Sequence, residues 1–65
     1  MEMTQIIELL KKKAAEHCEE YELLQGNDIE LARRCLHDYL LTLDILNEIT
    51  GKSFIYVDGK WFIEH

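Results

Sequence analysis

Proline is missing from this sequence altogether, and glycine occurs only at Gly26, Gly51 and Gly59. Breaks in chain direction are therefore confined to a few points, and proline-rich linkers are excluded. Basic residues are scarce: Lys and Arg total 7 against 13 Asp and Glu, giving a net charge of −6 and a pI near 4.8. That balance argues against general binding to nucleic-acid phosphate, which needs clustered cations to release counterions. An acidic surface suits basic patches on other proteins, or solubility alone. No apolar run approaches the roughly eighteen residues of a membrane span. The start, Met1-Glu2-Met3-Thr4-Gln5, has neither the basic residues nor the apolar core of a secretion signal, so a cytoplasmic location without membrane contact is expected. The cysteines, Cys18 and Cys35, lack the closely spaced Cys and His pairs of zinc sites, and no metal or cofactor is expected.

What the chain does have is apolar content in periodic patterns. Hydrophobic residues make up 48% of the 65 positions and charged residues 31%, a globular composition. The expectation is one small domain spanning 1–65. At this size apolar burial barely offsets conformational entropy, so a covalent staple or an oligomer is anticipated.

The first pattern predicts a helix over about 4–25, with Thr4 as its N-cap. Met3, Ile7, Leu10, Ala14, His17, Tyr21 and Leu24 recur at alternating steps of four and three, widened by Ile6 and Cys18. Gly26 suits a left-handed helix end, and Asn27 with Glu30 resembles a capping box for the next helix. That second helix is predicted over about 28–50, ended by Gly51. Its main stripe is Ile29, Ala32, Leu36, Tyr39, Leu43 and Leu46. A second stripe, Leu31, Leu41, Ile45 and Ile49, makes the helix apolar around most of its circumference, as in a helix contacted on several sides.

So short a loop makes the helices antiparallel neighbours, with facing residues whose numbers sum to about fifty-three. Ala14 then meets Tyr39, Tyr21 meets Ala32, and Cys18 falls opposite Cys35. The two cysteines read as reduced thiols filling the seam, with a disulfide as the alternative. His17 reads as a histidine at the core edge, turned toward Asp38, Glu20 or water, or as a polar residue that sets register.

The end of the chain carries the strongest local signal: Phe54-Ile55-Tyr56-Val57, then Asp58-Gly59, then Lys60-Trp61-Phe62-Ile63. Asp-Gly between aromatic and β-branched runs predicts a two-residue hairpin over about 53–64. Pairing Val57 with Lys60 sets Tyr56 opposite Trp61, Ile55 opposite Phe62 and Phe54 opposite Ile63. One face then carries Phe54, Tyr56, Trp61 and Ile63, and the other Ile55, Val57 and Phe62. Two helices cover only one face of such a ribbon, so the second asks for another chain.

The fold class that follows is α+β, mainly α: an antiparallel two-helix hairpin with a C-terminal two-stranded β-hairpin packed on helix two. The functional expectation is a small acidic, non-enzymatic interaction protein, a regulator or inhibitor that binds another protein and that self-associates, as a dimer or higher homo-oligomer, through helix two and the aromatic hairpin. The expected interface residues are Leu41, Ile45 and Ile49 of helix two, Ile55, Tyr56, Val57, Trp61 and Phe62 of the ribbon, and Glu19 and Glu20 of the acidic run. Glutamates 16, 19, 20 and 22 otherwise read as a solvated face, as do Lys11, Lys12 and Lys13. An alternative is a small-ligand binder with a pocket between subunits, using Tyr39, Tyr56, Trp61, Arg33 or Arg34. The charge balance argues against nucleic acid as a third partner, which would require the oligomer to align Lys11 to Lys13 with Arg33 and Arg34. In style the chain is similar to small accessory proteins of bacteria and their phages, a likeness of class and not of family.

Overall fold

The computed structural model describes residues 2–64, leaving Met1 and His65 outside it. Its elements are α1 (Met3–Leu24), α2 (Ile29–Thr50), β1 (Ser53–Val57) and β2 (Lys60–Glu64). This is the mainly-α architecture of a helical hairpin followed by a β-hairpin that the periodicities predict.

The helix ends differ from expectation by a residue or two. Helix α1 is capped at Glu2, not Thr4: the backbone N–H of Glu2 donates to Gln5 Oε1 at 3.1 Å, which is one arm of a capping box. Gly26 is not left-handed, because the helix ends at Gln25 in right-handed geometry, with the Gln25 N–H on the Tyr21 carbonyl at 3.0 Å. Asn27 closes α1 by donating from its amide to the Leu23 carbonyl at 3.3 Å, so it does not cap α2. Asp28 does that instead, accepting from the Leu31 N–H at 3.1 Å.

Gly51, by contrast, ends α2 in the left-handed region (φ 69°), as expected of a glycine helix stop. The ribbon leaves from there in a fixed direction. Asn47 Oδ1 accepts from the Phe54 N–H at 2.8 Å, and Thr50 Oγ1 donates to the Leu46 carbonyl at 2.8 Å. The turn residues Asp58 and Gly59 both have positive φ, 51° and 75°. Strand register is as predicted: Phe54 with Ile63, Ile55 with Phe62, Tyr56 with Trp61, Val57 with Lys60.

The core is small. Ala14, Ala32, Cys35, Leu46 and Phe54 are buried, and Leu46 is the largest side chain fully enclosed. The two alanines let the helices approach closely while Tyr21 and Tyr39 stay half-buried beside them. Ile29, assigned by periodicity to the inner stripe, is 62% exposed, because the first residue of α2 sits at the open end of the helical hairpin. Ile63 is likewise exposed at the far end of β2, although the pleat places it on the ribbon's inner face.

The ribbon lies across both helices rather than on α2 alone. Phe54 meets the Trp61 ring edge-on at 6.2 Å, and Tyr56 packs on Trp61 at 4.9 Å. From this aromatic layer Tyr56 reaches α1, donating its hydroxyl to Glu19 Oε1 at 2.8 Å. Lys11 of α1, expected to be solvated, places its ammonium 4.8 Å from the Phe54 ring centre, a cation–π contact.

Candidate functional site

A helix advances 100° per residue, so Leu31, Leu41, Ile45 and Ile49 fall within an arc of about 80° on α2. The buried residues Ala32, Cys35 and Leu46 occupy a different arc, turned toward α1. No described residue fully covers the first arc: Leu41 is 50% exposed and Ile45 48%, with Leu31 and Ile49 similar. A second uncovered surface is the outer face of the ribbon, where Val57 and Phe62 are exposed and Ile55 is half-buried. Trp61 and Tyr56 are half-buried on the inner face, so they belong to the ribbon's packing layer more than to its outer surface.

The amount of uncovered surface is measurable. The chain exposes 4978 Å², where a compact monomer of 7.7 kDa exposes about 4,300 Å². A thin body, 37 × 26 × 17 Å, explains part of that excess geometrically: two layers cannot shield helix, ribbon and ribbon face together.

Of the acidic residues expected to meet a partner, Glu19 and Glu20 each hold an internal bond. Glu19 accepts from Tyr56, and Glu20 Oε2 accepts from the Cys35 thiol at 3.5 Å. Cys18, half-buried, points its thiol toward Glu22 Oε1 at 4.0 Å, and both cysteines are free. Burial first, and neighbouring carboxylates second, push both thiols above the usual range. Thiols held in the protonated form are weak nucleophiles. The Tyr56 phenol is raised chiefly by its bond to Glu19, and that of Tyr39 chiefly by burial. His17 is half-buried in the seam.

The residues considered for a ligand pocket do not converge within one chain. Arg33 lines an open depression at the loop end with Tyr21, Gln25, Ile29 and Leu36, while Arg34 lines another with Asp28, Glu30 and Leu31. Tyr56 and Trp61 border a third, with Lys11 and Lys12. Among the described residues no group of three or more His, Cys, Asp or Glu side chains is placed to hold a metal ion, and no helix is long and apolar enough to cross a membrane.

Sequence reasoning missed the contacts that seat the ribbon: Asn47 to Phe54, Tyr56 to Glu19, and Lys11 over Phe54. Only Asn47, an amide one turn before the Gly51 helix stop, offers a local signal. No known protein family, curated protein or solved structure matches this chain.

Proposed function

We propose that this chain is a small acidic, non-enzymatic interaction protein, a regulator or inhibitor that self-associates and binds another protein. The observation that supports the reading is the uncovered apolar surface, on α2 and on the outer face of the ribbon, in a chain that exposes 4978 Å². Burying such surface against a second body is the main driving force of association, and the outer ribbon face offers Val57 and Phe62 for it. The acidic surface adds attraction for a basic partner and speeds encounter with it.

The test separates the two activities. Sedimentation equilibrium across a concentration series reports self-association. Capture of proteins from a cell extract is then compared for the native chain and for Val57→Lys with Phe62→Ser, both exposed positions whose replacement leaves the core intact. A specific captured protein lost in the double variant supports the binding role. Identical capture by both chains would remove the ribbon from it.

A further inference from the structure

We propose that a second copy of this chain covers the α2 face in an antiparallel, twofold-symmetric pairing, with the two helices overlapping along their full length. This rests on the self-association reading and adds to it a seam, a direction and a register. Three observations lead there.

The first is area. The surface in excess of a compact monomer is about 650 Å². A stable interface takes about 800 Å² from each partner, so one helix-to-helix contact is of the right size to absorb it.

The second is charge. Copies carrying −6 each repel one another and can approach only where charge is balanced. The stripe Leu31, Arg34, Asp38, Leu41, Ile45 and Ile49 holds one cation and one anion among four apolar residues. A parallel pairing would set Arg34 against Arg34 and Asp38 against Asp38. The antiparallel pairing removes both conflicts.

The third is register. Helix α2 runs from Ile29 to Thr50, so full overlap places at one level residues whose numbers sum to about eighty. Leu31 of each copy then meets Ile49 of the other, and Leu41 lies beside the twofold axis. In an antiparallel twofold pair, the same flank of each helix meets its counterpart. Arg34 and Glu48 share one flank with Glu30, and at this register Glu48 of each copy lies between Arg34 and Glu30 of the other, so the Arg34 contact, made twice, offsets the Glu30 one. Sliding the helices to pair Arg34 with Asp38 instead carries Ile45 and Ile49 past the end of the neighbouring helix. Exposed ion pairs contribute less than burial of those side chains, so full overlap prevails.

The pairing leaves the ribbon outside. Asn47, which anchors Phe54, stands about 160° around α2 from Ile45, so the outer ribbon faces of the two copies remain free for another protein.

Cysteine cross-linking with peptide mapping, joined to sedimentation equilibrium, tests this. Leu41→Cys is expected to link to itself across the axis under mild oxidation. A mixture of Leu31→Cys and Ile49→Cys chains is expected to give 31-to-49 links and no 31-to-31 links. Arg34→Glu is expected to weaken the dimer about tenfold, and adding Glu48→Arg to restore it. All five positions are exposed, so folding does not depend on them. A dimer that links 31 to 31, or that ignores Arg34→Glu, overturns the seam and leaves self-association standing. A native chain of single-copy mass at every concentration overturns both.

Discussion

The hydroxyl of Tyr56 donates to the carboxylate of Glu19 at 2.8 Å, joining ribbon and α1 across 37 positions of sequence. Together with Asn47 on the Phe54 N–H and Lys11 over the Phe54 ring, it decides how the ribbon sits on the helices. Tyr56→Phe removes the donor and keeps the ring on Trp61. The expected result is a small drop in melting temperature by calorimetry, with the near-ultraviolet dichroism of Trp61 altered. Glu19→Lys is expected to loosen the fold as well, so Glu16→Lys is the cleaner probe of the acidic surface.

Alkaline pH is expected to weaken the fold. The thiols of Cys18 and Cys35 and the phenols of Tyr39 and Tyr56 are all raised in the folded chain. In each case folding favours the protonated, neutral form. The stability from these groups is therefore fully present below their ordinary values, 9.0 for the thiols and 10.0 for the phenols. It is lost as pH rises through the higher folded values. Thermal melts from about pH 7 to about pH 11 are expected to hold level at first and then fall. A midpoint that stays constant to the alkaline limit would contradict this.

Two glycines with different backbones predict opposite outcomes. Gly51 has φ 69° and open space around a would-be Cβ, so Gly51→Ala meets only the backbone penalty of the left-handed region, about 1–2 kcal/mol. Gly26 has no positive φ and nothing within 4 Å. There Gly26→Ala restricts the unfolded chain and is expected to stabilise by about 0.4–1 kcal/mol. Urea titration of the two variants reads both signs.

Leu46 is the fully enclosed large side chain of the core, and Leu46→Ala is expected to cost about 2–5 kcal/mol. For so small a domain that is comparable to the whole stability, so the variant is expected to lose most of its helical dichroism at room temperature. A folded Leu46→Ala chain would mean that the core lies elsewhere.

Local chemistry explains what was legible in the sequence. Asp58-Gly59 sets the ribbon register because both turn positions need positive φ, and among the described residues it is the one adjacent pair that has it. Helical spacing identified α1 and α2 and their exposed stripes, because periodicity depends only on the residues themselves. The cap of α2 lies one residue beyond the Asn27 that the sequence suggests: Asn27 and Asp28 are both good caps, and which serves α2 depends on how α1 ends. Residue type alone suggests a left-handed stop at Gly26, but the Asn27 amide closes that end. The docking of the ribbon on α1 could not be read, since Tyr56, Glu19, Lys11 and Phe54 are far apart in sequence and meet only after folding. Ile29 and Ile63 fit their periodic faces yet lie exposed at element ends, where the pattern continues and the neighbour does not.

Sedimentation equilibrium of the native chain beside Ile45→Asp, over a wide concentration range, brings these inferences to one number. The expected mass rises with concentration toward twice the single-chain 7.7 kDa for the native protein and stays at the single-chain value for Ile45→Asp. A native chain that keeps 7.7 kDa at every concentration, as folded as before and indistinguishable from Ile45→Asp, would contradict them.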